Sequence, residues 1–228
     1  MKIGMLGDLH FWSGNMESQS MLLGQALQTM RKEGVGLVLN TGDTFELESI
    51  YDNDASTMQL MRAICDPIEK AGLPVIKISG NHDIQDPLKP SSINLFQGHR
   101  LIQVFEYNAT TVGWVHGTEY VHLLLLPWQD RLWQRRHHSH IEWENWPRHC
   151  CEVLLGSRLT NLPKADCCIL MGHLETEGAW ADSYRRALPG TVAAFKPSDL
   201  EMVGADLSVF GHIHSRQRLW EDAQSQGH

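Results

Sequence analysis

Five times along this chain an apolar run ends in glycine and then in residues that bind metal ions. Residues 2–6 lead into Gly7-Asp8-Leu9-His10, and residues 35–39 into Asn40-Thr41-Gly42-Asp43. Residues 75–78 lead into Ser79-Gly80-Asn81-His82-Asp83, residues 167–171 into Gly172-His173, and residues 207–210 into Gly211-His212-Ile213-His214. Each run has the length and bounding residues of a buried strand, and glycine permits a tight turn at its end. Between the first three runs lie two helical patterns. Residues 17–32 place Leu23, Ala26, Leu27 and Met30 on one face, with Gly34 as a stop, and residues 57–71 close on Gly72 and Pro74. Strand, helix, strand, helix, strand predicts an α/β layered fold with ligands at the carboxyl ends of the strands.

The middle of the chain reads differently. Residues 101–105, 110–115 and 121–126 are short β-type runs that predict a second sheet or an antiparallel extension. Residues 131–146 are rich in Trp, His and Arg and read as a loop leading into a helix that continues through residue 159. Residues 175–189 read as loop, 197–202 as a short helix with Ser198 as N-cap, and 216–220 as one more strand.

A chain of 228 residues suffices for one large domain, taken here as residues 1–228. No stretch is apolar over 18 or more residues and the N-terminus is no signal peptide, so the expectation is a cytoplasmic protein without a membrane partner. Five cysteines, four of them in adjacent pairs and none in Cys-x-x-Cys spacing, read as reduced and packed. A formal charge of −8 argues against a large basic face, although carboxylates loaded with two divalent ions gain about four positive charges.

Gathering the strand-end donors gives Asp8, His10, Asp43, Asn81, His173, His212 and His214. Oxygen and nitrogen donors without a thiolate suit two borderline or hard divalent ions, Mn²⁺ first, with Fe²⁺, Zn²⁺ or Mg²⁺ as alternatives. Asp43 is the natural bridging carboxylate. Two such ions can clamp a phosphate oxygen, activate water and stabilise a leaving oxygen. His82 could protonate the leaving oxygen, with Asp83 expected to hold its tautomer and orientation.

The set Gly-Asp-Leu-His, Gly-Asp, Gly-Asn-His-Asp, Gly-His and Gly-His-Ile-His, in that order, resembles the calcineurin-like metallophosphoesterases over nearly the whole chain. The resemblance implies a four-layer αββα sandwich of two mixed β-sheets flanked by helices. It implies that Asp8, His10, Asp43 and His214 hold one metal, and that Asp43, Asn81, His173 and His212 hold the other. Asp83 stands where the phosphoprotein Ser/Thr phosphatases carry Glu. Gly42-Asp43-Thr44-Phe45-Glu46, Leu126-Pro127-Trp128 and residues 197–214 are instead similar to the SbcD/Mre11-type DNA exonucleases, with Glu46 in place of the commoner Asp.

The expectation is thus a two-metal phosphodiesterase with DNA as substrate. A phosphoesterase for a small nucleotide or another small ester is the first alternative, and a non-catalytic metal-binding interaction module the second. A homodimer stays open. Only 14 residues follow His214, so the DNA-capping region of those nucleases is expected to be absent, which speaks against a coiled-coil SMC-like ATPase partner. His137, His138 and His140 read as a solvated loop, His116 and His122 as structural. Trp128, Trp133, Trp143 and Trp146 read as packing residues, with base stacking as the alternative. Tyr184, Arg185 and Arg186 could border the site.

Overall fold

The computed structural model describes residues 1–46, 54–84, 86, 87, 89–161, 163–178 and 193–214. In chain order its elements begin β1 (Lys2–Leu6), α1 (Met16–Lys32), β2 (Val35–Asn40), α2 (Asp54–Ala71), β3 (Val75–Ile78), β4 (Ile102–Phe105), β5 (Thr110–His116) and β6 (Glu119–Leu126). There follow α3 (Arg131–His137), α4 (Trp146–Asn161), β7 (Cys167–His173), β8 (Glu175–Thr176), β9 (Ala194–Phe195), α5 (Pro197–Met202) and β10 (Leu207–Gly211). The residues read as a strand at 216–220, and Tyr184, Arg185 and Arg186, lie outside the described residues.

Two four-stranded sheets result. The first has the order β1-β2-β3-β4 and is parallel throughout; the second has the order β10-β7-β6-β5 and is mixed, with only the β5–β6 pair antiparallel. So only one of the two sheets is mixed. Residues 101–105, grouped above with the middle β runs, extend the first sheet, because Val75 to Ile78 pair in register with Ile102 to Phe105.

Side-chain alternation explains the layers. Leu37, Leu39, Ile76 and Ile78 of the first sheet meet Val121, Leu123, Leu125, Ile169 and Met171 of the second between the sheets. The residues between them point the other way. Val38 and Val75 pack with Leu23 and Leu27 of α1 and Leu60, Ile64 and Ile68 of α2. Leu124, Leu126, Cys168 and Leu170 pack with Leu154 of α4 and Leu200 of α5. Each fully buried Leu or Ile contributes roughly 1.5–3 kcal/mol, so both faces of both sheets are committed to burial. This is a helix–sheet–sheet–helix sandwich.

Two local expectations change. Residues 131–137 form a helix, not a loop, because Asp130 caps it: its Oδ1 accepts from Leu132 N–H at 2.7 Å and Trp133 N–H at 3.0 Å. The N-cap position of α5 is Lys196, not Ser198, and no side chain caps it; Pro197 occupies the first turn, where its missing N–H costs nothing. All five cysteines are free. No helix among the described residues is long and apolar enough to cross a membrane.

Candidate metal centre

All the parallel strands end at one edge of the sandwich, and the chain turns there through strained backbone. Five non-glycine residues among those described have positive φ, and four of them are candidate ligands: Asp8 (51°), His10 (47°), Asp43 (49°) and His212 (87°). Such conformations cost about 1–3 kcal/mol each and persist where the surroundings over-determine them. Here the surroundings are a ladder that continues past the strands. Asp8 N–H donates to Gly42 O, His10 N–H to Asp43 O, Phe11 N–H to Thr44 O and Glu46 N–H to Phe11 O, all within 2.9–3.0 Å.

Two glycines let the loops touch. A Cβ on Gly80 would lie 2.0 Å from Asp43 Oδ1, and one on Gly42 (φ 107°) would lie 2.5 Å from His173 Nδ1. No side chain fits at either place.

The sequence-chosen donors come together in two groups. Asp8, His10 and His214 form one, and Asp43, His173 and His212 the other, the donor atoms within each lying no more than 4.8 Å apart. Asn81 joins the second group, its Oδ1 lying 3.1 Å from His173 Nε2 and 2.9 Å from His212 Nδ1. Asp43 Oδ2 faces both sides, 3.3 Å from His173 Nε2 and 3.8 Å from His10 Nε2. His173 Nδ1 donates to Thr41 O at 2.7 Å, which leaves Nε2 as the donor nitrogen turned to the site. Both groups are nitrogen and oxygen donors without thiolate, so they fit hard or borderline divalent ions.

Burial is graded across the centre. The His173 side chain is fully buried and that of Asp43 is 2% exposed, whereas that of His214 is 51% exposed. The open side is therefore that of His214 and Glu46. A separate groove between α1 and α2, lined by Met16, Gly24, Arg62 and Pro67, contains none of these residues.

The electrostatics follow from this burial. Burial alone would push the Asp43 carboxyl up, but His173 and then His82 outweigh it and hold it down at about 2. Burial alone would lower the His173 imidazole; Asp43 reverses this and raises it. His10 is lowered, chiefly by burial.

Asp83 does not have the role expected of it. Its Oδ1 accepts from Thr44 N–H at 3.0 Å and Phe45 N–H at 3.1 Å, and its Oδ2 accepts from Gly80 N–H at 2.9 Å. Consecutive side chains leave the backbone in different directions, and the buried N–H groups of the Asp43 loop require an acceptor. Asp83 is thus a fully buried tie between two ligand loops, pushed up to about 6 by burial and by the neighbouring Asp43.

The carboxylate beside His82 is Glu46. Its Oε1 lies 2.6 Å from His82 Nδ1 and its Oε2 3.3 Å from His10 Nδ1. The approach to His82 is off the ring N–H axis, a charge contact rather than an aligned hydrogen bond. The imidazoles of His10 and His82 meet edge to face at 4.7 Å. Glu46 was visible in the sequence only as a departure from the commoner Asp.

Among the tryptophans, Trp133, Trp143 and Trp146 are core residues. Trp128 is half-buried against the centre, its ring 4.8 Å from that of His212 and 5.9 Å from that of His173. His137, His138 and His149 gather around Trp133 and Trp146. His122 is buried on β6, and burial lowers its imidazole.

A two-sheet sandwich whose strand ends converge seven such donors and a buried imidazole defines a metal-dependent phosphoesterase. The family model of the calcineurin-like phosphoesterases matches residues 1–216, and the chain belongs to that family. A crystal structure of a dimetal phosphatase from Danio rerio is similar in fold, with a TM-score of 0.55 and 13% identity over 93% of this chain and 81% of that one. No curated protein matches the chain in sequence.

Proposed function

We propose that the chain is a two-metal phosphodiesterase that cleaves nucleic acid, with DNA as the substrate. The observation that carries this reading is the open side of the centre. Among the described residues His214 and Glu46 line an exposed edge of the centre, from which a phosphate within a long polymer can approach without entering a closed pocket. Beyond Trp128, α3 begins at Arg131 and carries the exposed Arg135 and Arg136, which suit a phosphate backbone. The nuclease-like residues around Asp43 and His212 support the same substrate.

Asp8, His10 and His214 would hold one ion, Asn81, His173 and His212 the other, and Asp43 both; Mn²⁺, Fe²⁺ and Zn²⁺ all suit this donor set, and Mn²⁺ is the one proposed. Such ions supply Lewis-acid charge to the phosphoryl oxygens and acidify water. The remaining work falls to the chain. His82 donates a proton from Nε2 to the sugar oxygen as its bond to phosphorus breaks. Glu46, beside Nδ1, keeps that nitrogen turned away from the substrate.

The test is Mn²⁺-dependent cleavage of end-labelled single- and double-stranded DNA, beside an aryl phosphodiester and an Asp43→Ala control. Cleavage of DNA that the control lacks is the expected result. Intact DNA with a hydrolysed aryl diester would overturn the polymer reading in favour of a small phosphoester.

A further inference from the structure

We infer that Glu175 is a positioning residue for the metal centre, holding the His212 ring so that Nδ1 faces the ion; this rests on the two-metal reading above. His173 closes β7 and Glu175, two residues on, opens β8, and both side chains reach the His212 side of the centre. Leu174, between them, is buried in the core against α4 and α5. The position of Glu175 is set by pairing of β8 with β9, Glu175 with Ala194 and Thr176 with the buried Phe195.

His212 has partners on both ring nitrogens. Nδ1 lies 2.9 Å from Asn81 Oδ1, on the side of Asp43 and His173. Nε2, across the ring, lies 3.5 Å from Glu175 Oε1. The Trp128 indole lies against the ring at a 45° tilt. A neutral imidazole that offers one nitrogen to a metal carries its proton on the other, and an acceptor there decides which nitrogen is which. Glu175, a charged neighbour 3.5 Å from Nε2, is the carboxylate placed to accept there. It selects the tautomer with the Nδ1 lone pair turned inward, as Thr41 O selects Nε2 for His173. Glu175 itself stands on the far side of the ring from Asn81, outside the donor group. The two imidazoles of this donor group, His173 and His212, are thus aimed by different devices, a backbone carbonyl for one and a carboxylate for the other.

The test is calorimetric titration of the metal-stripped full chain with Mn²⁺, comparing wild type, Glu175→Ala and Glu175→Gln. Wild type takes up two ions. In Glu175→Ala one ion binds about 10–100-fold more weakly and the other as before. Glu175→Gln, whose amide oxygen still accepts from Nε2–H, recovers most of the loss. Unchanged affinities in Glu175→Ala would overturn the inference, as would equal weakening of both ions or a loss that glutamine does not recover. Wild type that fails to take up two ions would instead sink the two-metal reading, and the inference with it, before any variant is measured.

Discussion

The two sheets contribute unlike chemistry to one edge. The first sheet carries every acidic donor at its strand ends: Asp8 and His10 after β1, Asp43 and Glu46 after β2, Asn81, His82 and Asp83 after β3. From the second come only imidazoles among the donors, His173 at the end of β7 and His212 and His214 after β10. Negative charge is thus concentrated on one half, and neutral, proton-competing ligands on the other. Neither half is a site alone. The centre exists because the apolar faces of the two sheets dock and because Gly42 and Gly80 let the loops approach.

The sharpest way to test this asymmetry is to remove one donor from each side. Asp43→Ala takes away the carboxylate that faces both groups. It is expected to abolish uptake of both ions and to lower kcat/KM by about 10³-fold or more. His212→Ala removes a donor from one group only, and one ion per chain is expected to remain. Metal content by mass spectrometry of the native proteins decides; equal losses in the two variants would remove the distinction between the halves.

His82 and Asp83 are neighbours in sequence with opposite expected phenotypes. His82→Ala is expected to lower kcat by roughly 10²–10⁴-fold while two ions stay bound and Tm is little changed. Asp83→Ala strips the acceptor from three buried N–H groups and is expected to cost about 3–5 kcal/mol of stability by urea unfolding. If His82→Ala loses its metals, or Asp83→Ala unfolds like wild type, the roles assigned here are reversed.

That pair also shows what the sequence made legible. The strand ends were readable because an apolar run, a glycine and a donor recur five times, and α1 was readable from Leu23 and Leu27 four residues apart. Direction was not. Asp43 and its neighbours turn through positive φ, and no periodicity encodes where the next carboxylate then points. Adjacency in sequence therefore points to Asp83 as the partner of His82, and no spacing signal marks the roles of Glu46 and Glu175. The place of β4 depended on long-range pairing with β3, and the start of α3 on a cap at Asp130 hidden by the polar run that follows.

Proton competition gives a smaller effect with a definite sign. The Asp43 carboxyl is held at about 2 against an ordinary 3.8, so its contribution is present above pH 3.8 and lost as pH falls towards 2. The His173 imidazole is raised above 6.5, so its contribution is present below that pH and lost as pH climbs through the folded value. Asp43 therefore stabilises the metal-free protein by on the order of 2 kcal/mol between pH 2 and about 4, whereas Asp83, raised to about 6 in the folded state, costs stability as pH climbs from 3.8 to 6. Metal affinity runs the other way, rising with pH as His173 gives up its proton. Thermal unfolding with and without Mn²⁺ from pH 2 to 7 would show it, and a metal-free Tm that does not rise between pH 2 and 4 would contradict it.

The smallest effect concerns what lies behind the acidic half. Lys77 on β3 is the one buried lysine or arginine among the described residues. It points to the helix side, donates from Nζ to Thr44 Oγ1 at 2.6 Å and sits 5.2 Å from the centre of the Phe96 ring. Burial pushes its ammonium down to about 8 from 10.5, against the pull of Asp83. The folded protein therefore sheds this proton before the unfolded chain does, and stability gains as pH rises from 8 to 10.5. At neutral pH the charge is a net cost, so Lys77→Met is expected to stabilise the protein by about 1–2 kcal/mol at pH 7. The advantage should shrink as pH approaches 10.5. A variant less stable than wild type at pH 7, by a margin that does not change with pH, would mean instead that the ammonium is used. It would then hold Thr44, and through it the Asp43 loop, in place beneath the metals.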